Sequence, residues 1–228
     1  MLVKNWMSRD VVTIDRDDSM THVMKLLKDH NIRMIPVMNK GRLTGVVTDR
    51  DIRSASASKA ISLEIHELAF LISRIKVRQI MTPDPITVES DYTVEETAEI
   101  LLRNKINGVP VVDQPGGVVG VITQSDIFRV FISLTGLSKK GIHFAFELED
   151  RPGSIKEVTD VIRRYGGRIS SILSSYENAR EGYRKVYIRT YDIGEPLVVA
   201  LKEEVGKIAK ILYVVAHQGD KREVYEAE

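Results

Sequence analysis

The chain has 228 residues, 43% of them hydrophobic, and its 33 lysines and arginines against 32 acidic residues give a net charge of +1. This length fits two domains of about 100–150 residues each, and the balanced charge provides no overall field for nucleic acid or an anionic membrane. The absence of cysteine excludes disulfides and thiolate metal sites. Without a signal-peptide core or a run of about 20 apolar residues, we expect a cytoplasmic protein with no nucleic-acid or membrane partner.

An internal repeat organises the N-terminal half. Residues 6–52 align with residues 80–127 at an offset of 74 positions. One extra residue in the turn of the second copy raises the offset to 75 after that turn. The matched pairs include Met7 and Met81, Pro36 and Pro110, Gly45 and Gly120, Thr48 and Thr123, and Asp51 and Asp126. Units this small cannot cover their own sheets. We therefore expect the two copies to pack about a pseudo-twofold axis, with clefts between them.

Each copy predicts the order helix, strand, turn, strand, helix. The first helix begins at Ser19 or Thr93, because apolar residues follow these capping residues at helical spacing. Two apolar runs come next, separated by the turn residues NKGR or DQPGG. The copies end in the related sequences GVVTDRDI and GVITQSDI.

The two endings place a threonine at a strand end and an aspartate in the helix that follows. A hydroxyl, free backbone N–H groups and a carboxylate then meet at a helix N-terminus, where the helix dipole favours phosphate and the carboxylate can accept from a ribose diol. The alternative is that Thr and Asp serve only as helix N-caps. The first ending carries Arg50 and Arg53, whereas the second carries Gln124 and Ser125, which favours the first as a phosphate site.

These endings, with a proline inside an apolar strand of each copy, resemble a tandem CBS-domain pair, or Bateman module, over roughly Val3 to Phe131. Such modules bind AMP, ADP, ATP, S-adenosylmethionine or related adenosine ligands. The resemblance implies that ribose hydroxyls bind Asp51 and Asp126, and that phosphate meets Thr48, Arg50, Thr123 and Ser125. It also implies that each cleft is completed from the other strands, with Ser8, Val12, Ile32 and Met34 facing Asp126, and Thr82, Ile86, Ile106 and Gly108 facing Asp51.

Between the copies, residues 54–77 predict an amphipathic connecting helix through Ile65, Leu68, Ala69 and Ile72. It could pack within the module or form a dimer contact. After a short linker, hydrophobic periodicity predicts the order β-α-β-β-α-β, a ferredoxin-like arrangement. The expected elements are a strand at Ile142–Leu148, a helix ending at Gly166–Gly167, strands near Ile169–Tyr176 and Lys185–Tyr191, a helix near Pro196–Val205 and a strand at Ile208–Ala216.

That order, with EDRPGSI at its first turn, resembles an ACT domain, a small regulatory module that often binds amino acids at a dimer interface. Backbone N–H groups of the turn could hold a ligand carboxylate. The candidate residues are Asp150, Arg151, Pro152, Gly153, Ser154 and Ile155. The alternative is a tight turn that needs Gly153 and binds nothing, in a domain that only dimerises.

A CBS pair followed by an ACT domain resembles the AcuB-type acetoin utilisation proteins, which implies a regulatory role in acetoin or acetate metabolism. The expected fold class is α/β (α+β). The expected segments are a first CBS repeat at 1–56, a connecting helix at 57–75, a second CBS repeat at 76–133, a linker at 134–141, an ACT domain at 142–218 and a charged, frayed tail at 219–228.

The sequence contains no recognisable catalytic constellation. The five histidines lack the spacing of a zinc helix, and no phosphate loop, nucleophile elbow or dinucleotide fingerprint occurs. We therefore expect a regulatory homodimer, not an enzyme, with no metal and no catalytic cofactor. Its regulatory ligand would be an adenosine nucleotide, joined by an amino acid at the ACT domain, and its partner an unidentified regulated protein. An assembly protein with empty clefts is the alternative.

Overall fold

The computed structural model describes residues 1–57, 72–113, 117–218 and 221–226. Tertiary contacts divide the chain into two compact units, Met1–Phe128 and Arg129–Glu228. The fold is mixed α+β, with three sheets and helices between their strands. Within the described ranges, no helix has the length and apolarity needed to cross a membrane.

The N-terminal unit carries the two copies of the repeat. Its helices are α1 (Met20–Asp29), α2 (Asp49–Ala57), α3 (Val94–Asn104) and α4 (Gln124–Leu134), the last of which ends in the C-terminal unit. Its strands are β1 (Ile14–Asp15), β2 (Met34–Asn39), β3 (Arg42–Thr48), β4 (Thr82–Pro83), β5 (Val88–Glu89), β6 (Gly108–Val112) and β7 (Val118–Thr123).

The two predicted helix starts are confirmed, and side-chain caps explain both. The Ser19 hydroxyl accepts from the His22 amide at 3.2 Å. The Thr93 hydroxyl accepts from the Glu96 amide at 3.1 Å, while the Glu96 carboxylate accepts from the Thr93 amide at 2.8 Å. These bonds satisfy N–H groups that have no partner within the helix, which is why each helix begins where it does.

The sheets of the two copies have the same pairing. In the first copy β1 runs parallel to β2 and β2 antiparallel to β3, and β5, β6 and β7 repeat this arrangement in the second. The leading segment of each copy (residues 1–8 and 75–82) pairs with the other copy. Strand β4 adds to β3 of the first copy, and Ser8 forms a bridge to Val121 of β7.

Backbone hydrogen bonds at the helix starts also join each leading segment to the other copy. The Met20 amide donates to the Ile75 carbonyl at 2.8 Å, and the Val94 amide donates to the Met1 carbonyl at 2.7 Å. Each leading segment therefore satisfies the first turn of the other copy's helix. The reciprocity relates the two copies by an approximate twofold axis, in agreement with the packing expected from the repeat.

The C-terminal unit is a five-stranded sheet with two helices. Its strands are β8 (Gly141–Glu149), β9 (Arg168–Ser175), β10 (Tyr183–Tyr191), β11 (Lys210–Gln218) and β12 (Lys221–Glu226), and its helices are α5 (Ser154–Arg164) and α6 (Glu195–Gly206). The strand order is β12-β11-β8-β10-β9, with all neighbours antiparallel. The first six elements follow the predicted order β-α-β-β-α-β. Their core includes Phe144, Phe146, Ile188 and Leu201, all 0% exposed.

Two expectations from the sequence need comment. The tail expected to be frayed instead contains β12, which pairs with β11 from Tyr213 opposite Glu226 to Gln218 opposite Lys221. Without β12, β11 would be a sheet edge with unpaired backbone groups, and pairing satisfies them. The connecting helix predicted at 57–75 falls mostly on residues 58–71, outside the described residues.

Candidate functional site

The junction between β3 and α2 holds Thr48 and Asp51 in a ring of hydrogen bonds. Carboxylate oxygen Oδ2 of Asp51 accepts from the Thr48 hydroxyl at 2.6 Å and from the Thr48 amide at 2.8 Å, and the Asp51 amide donates to the Thr48 hydroxyl at 3.3 Å. Within the described part of the chain, Oδ1 of Asp51 accepts no hydrogen bond. The cap therefore uses only one of the two carboxylate oxygens of Asp51.

The second copy repeats this ring between β7 and α4. Oδ2 of Asp126 accepts from the Thr123 hydroxyl at 2.7 Å and from the Thr123 amide at 2.8 Å, and the Asp126 amide lies 3.4 Å from the Thr123 hydroxyl. Asp126 is only 4% exposed, whereas Asp51 is half-buried. The two sites share their backbone geometry and differ in how far the carboxylate reaches solvent.

The strand ladders place three of the predicted lining residues beside the junction of their own copy. Met34 begins β2 directly opposite Thr48, and Gly108 begins β6 directly opposite Thr123. The Ile106 carbonyl accepts from the Gln124 side chain of its own copy at 3.3 Å. These residues lie beside the junction of their own copy, because an antiparallel hairpin brings the start of one strand to the end of its neighbour. The expectation that Met34 faces the Asp126 group, and Gly108 and Ile106 the Asp51 group, stays a prediction.

Two other predicted residues do lie on the opposite copy's sheet. Ser8 exchanges backbone hydrogen bonds with Val121 at 2.9 and 3.0 Å, two residues before Thr123. Thr82 lies opposite Val46, two residues before Thr48. Both are exposed. Each junction is thus flanked by a leading segment from the other copy.

The remaining candidates have the following positions. Ile32 is half-buried and packs against the core of the first copy. Val12 is half-buried before β1, and Ile86 is 40% exposed before β5. Arg50 and Ser125 are exposed at equivalent positions in the first turns of α2 and α4. Their roles toward a ligand stay predictions.

Charge at the first junction is only partly compensated. Arg53 pairs with Asp49 at 3.1 Å, so its charge is already compensated. Among the described residues, neither Arg50 nor Arg33 has an ion-pair partner, and both are exposed. Arg33 was not predicted, because only the hydrogen bond from the Asp49 amide to its carbonyl, 3.1 Å long, brings it to the junction.

A cleft of about 330 Å³ lies in the C-terminal unit beside the turn between β8 and α5. It is lined by Glu147, Leu148, Glu149, Arg151, Ser154, Glu157, Arg180, Tyr183, Ile208, Ala209 and Lys210. Only Arg151 and Ser154 were predicted. Four of the others, Glu147, Leu148, Glu149 and Glu157, flank the predicted turn, whereas Arg180, Tyr183, Ile208, Ala209 and Lys210 come from later parts of the chain.

Arg151 is held by two carboxylates. It donates to Glu149 at 3.0 Å and to both oxygens of Glu157 at 2.8 and 2.7 Å. The hydrogen bonds that Arg151 donates hold the pKa of Glu157 below its ordinary value. Because Glu157 and, to a smaller extent, Glu149 accept these bonds, the pKa of Arg151 is raised. The positive charge of Arg151 is therefore already compensated by these two carboxylates.

The other turn residues lie outside the cleft lining. Asp150 faces Arg184, with 3.5 Å between carboxylate and guanidinium, and Ile155 packs against the core. Gly153 has a φ of +90°, and Pro152 is exposed. Across the described residues, no three side chains of His, Asp or Glu are grouped as metal ligands.

Relatives share the N-terminal repeats. The family profile of the CBS domain matches residues 3–58 and 77–133. A CBS domain-containing protein of Dictyostelium discoideum is 33% identical over 135 residues, which are 59% of this chain and 93% of that protein. An inosine-5′-monophosphate dehydrogenase of Korarchaeum cryptofilum is 33% identical over 125 residues, which are 55% of this chain but only 23% of the enzyme.

Solved structures also resemble this chain. The CBS domain pair of protein MJ0100, in complex with 5′-methylthioadenosine and S-adenosyl-L-methionine, is 32% identical with a TM-score of 0.50, covering 57% of this chain and 95% of that one. An acetoin utilization protein candidate (AcuB) from Vibrio cholerae is 26% identical with a TM-score of 0.51, covering 60% of this chain and 95% of that one. The chain therefore belongs to the CBS domain family and contains one tandem CBS domain pair.

Proposed function

We propose that this chain is a regulatory protein, not an enzyme, that binds adenosine ligands such as AMP, ADP, ATP or S-adenosylmethionine in the clefts of its CBS pair. The observation that carries the proposal is the duplicated Thr–Asp ring at two helix N-termini, each flanked by a segment from the other copy. A Thr–Asp ring that served only as a helix cap would not require a segment of the other copy beside it.

The proposed roles follow from the chemistry of each group. The carboxylates of Asp51 and Asp126 accept from the ribose hydroxyls, and the threonine hydroxyls with the helix N–H groups face phosphate where the ligand has one. The relative with 32% identity was solved with 5′-methylthioadenosine and S-adenosyl-L-methionine, which supports an adenosine ligand here.

The test is calorimetric titration with AMP, ADP, ATP, 5′-methylthioadenosine and S-adenosylmethionine, together with thermal unfolding. A ligand at 100 times its Kd should stabilise the chain by about 2.7 kcal/mol. We expect the double variant Asp51→Asn/Asp126→Asn to lose binding but stay folded, because an amide oxygen can still accept from threonine.

The matched control is Asp29→Ala, an exposed aspartate at the end of α1, which should bind as the parent chain does. Unchanged affinity in the double variant would contradict the site. An absence of binding by every compound would favour the assembly protein with empty clefts.

A second ligand site is proposed in the C-terminal cleft, for an amino acid in a domain of the ACT type. The lining contains three carboxylates and three cations. An amino acid carries one positive and one negative group, so it can pair with side chains of both signs in this cleft. Arg180 stacks on Tyr183, with 3.6 Å between guanidinium and ring centroid. Titration with an amino-acid panel should give binding that is lost in Arg180→Gln and kept in Arg163→Gln. Binding that survives both changes would contradict this site.

We further propose a cytoplasmic homodimer in which bound ligand changes the equilibrium between arrangements recognised by a regulated protein. A link to acetoin metabolism stays a prediction. Light scattering with and without nucleotide would measure the assembly state. A monomer under both conditions would contradict the proposed dimer.

A further inference from the structure

We propose that the outer edge of strand β9 is the surface through which two copies of this chain associate. The two β9 strands would pair antiparallel about a twofold axis and join two five-stranded sheets into one continuous sheet. This inference rests on the homodimer of the proposed function, for which it names the interface. It does not depend on which ligand occupies the CBS clefts.

The two edges of the C-terminal sheet differ in how their sequences protect them. Proteins commonly guard edge strands with charged residues or proline, because an unguarded row of backbone groups pairs with other strands. Strand β12 has the sequence KREVYE, in which four of six residues are charged, whereas residues 169–175 of β9 include neither a charge nor a proline. The edge at β12 is therefore guarded, and the edge at β9 is open to pairing.

The backbone of β9 has a strand neighbour on one side. Within the described part of the chain, β9 pairs only with β10, and no backbone hydrogen bond outside that ladder involves residues 168–175. The ladder is irregular between Ile169 and Ser171 and regular from Ser171 to Ser175. The outer N–H and C=O groups of this regular stretch are positioned to continue the sheet.

A cross-strand row of side chains shows where the core is incomplete. On the face that packs against the helices, Val214 of β11, Phe144 of β8 and Ile188 of β10 are neighbours and are 1%, 0% and 0% exposed. Ile172 of β9 continues this row opposite Ile188 but is 41% exposed. The exposed fraction rises because, among the described strands, the sheet ends at β9.

The same row is closed at its other end. Tyr225 of β12 lies opposite Val214, and the Lys202 ammonium of α6 stands over its ring, 3.3 Å from the ring centroid. A side chain of the same chain therefore covers the row at β12. At β9 a second copy would supply the cover, because strand pairing brings its β9 side chains beside Ile172.

A second copy fits this edge better than an unrelated strand. Two identical strands paired antiparallel about a twofold axis satisfy both open edges at once, so the assembly closes at two copies. Like charges directly opposite each other destabilise a strand pair, and residues 169–175 bring no charge to the interface. The charge of Arg168 lies at the end of the strand, with 3.8 Å between its guanidinium and the Asp192 carboxylate.

Charge variants at the middle of β9 test this interface. The midpoint of the strand lies between Ser171 and Ile172, so a charge at position 172 meets its own copy near the twofold axis. We expect Ile172→Lys and Ile172→Glu each to halve the assembly mass measured by light scattering, because like charges then face each other. Mixing the two variants should restore the parent mass, which misfolded chains would not do.

The matched control is Val224→Lys. Val224 is 43% exposed, close to the value for Ile172, but lies on the guarded edge strand β12. A lysine there should leave the assembly mass unchanged. A loss of mass in this variant equal to that in Ile172→Lys would contradict an interface at β9.

A cysteine scan gives a second readout, since the chain contains no cysteine of its own. Opposed Cα atoms of an antiparallel pair lie about 4.5–5.5 Å apart, within reach of a disulfide. Under oxidation by copper–phenanthroline we expect a crosslinked dimer from at least one of Ser171→Cys, Ile172→Cys and Leu173→Cys. Ser175→Cys should not crosslink, because about 24 Å of strand, at about 3.4 Å per residue, separates it from its own copy.

The outcomes separate this inference from the proposed function. A dimeric parent chain whose mass is unchanged in Ile172→Lys, or a dimer with no crosslink at positions 171–173, would overturn the β9 interface and leave the proposed function standing. A monomeric parent chain would overturn both the interface and the proposed dimer, and calorimetry would still decide nucleotide binding separately.

Discussion

Gly45 of β3 approaches the Thr82 carbonyl so closely that a Cβ on it would lie 2.9 Å from that oxygen. Gly120 of β7 has the same relation to the Ser8 carbonyl, at 3.1 Å. Neither glycine has a positive φ. The absence of a side chain at these positions is therefore required by the close approach of the other copy's leading segment, not by backbone conformation.

We expect Gly45→Ala to destabilise the N-terminal unit by about 1–3 kcal/mol, because the added methyl group meets a backbone oxygen that cannot move independently of β4. The nearby Met81 sulfur, 2.7 Å from the same position, is flexible and can move aside. Gly206→Ala is the control: its nearest neighbour is 3.8 Å away, and helix propensity favours alanine. Urea unfolding measures both, and an unchanged midpoint for Gly45→Ala would contradict the close approach.

The core of the C-terminal unit offers a matched pair on one helix. Leu201 of α6 is 0% exposed, whereas Val199, two residues earlier, is 62% exposed. We expect Leu201→Ala to lower the free energy of unfolding by about 2–5 kcal/mol through lost burial and the cavity left behind. Val199→Ala should change it by less than about 0.5 kcal/mol. If both variants lost the same free energy of unfolding in denaturant, the prediction that α6 packs on the sheet through Leu201 would be contradicted.

Titration of Glu157 provides a test of its pair with Arg151. Hydrogen bonds from Arg151 hold the pKa of Glu157 below its ordinary 4.5. A carboxyl with a lowered folded-state pKa stabilises the fold above its unfolded pKa, and this contribution is lost as pH falls through the folded value. NMR titration should therefore give a midpoint below 4.5 that returns toward 4.5 in Arg151→Gln. Arg163→Gln should leave it unchanged, and a normal midpoint in the parent chain would show that the pair is not formed.

Local patterns carried much of the fold prediction. Helix starts at Ser19 and Thr93 follow from a cap and an apolar stripe within a few residues of each other, and the self-similarity of residues 6–52 and 80–127 needed no tertiary information. The same holds for the order of elements from β8 to β11, since strand alternation and helix spacing are properties of short segments. The Thr and Asp of each junction were identified from the repeat alone.

Tertiary structure decided which of these residues meet. Ladders and side-chain contacts between segments that a linear pattern does not relate decide several features. They pair Arg53 with Asp49, bring Arg33 to the first junction, place Met34 opposite Thr48 and form the strand β12. The sequence determined which chemical groups are present at each junction, because the repeat aligns them position by position. The structure determined which charges of the first junction are paired, because pairing depends on distances that only the folded chain defines.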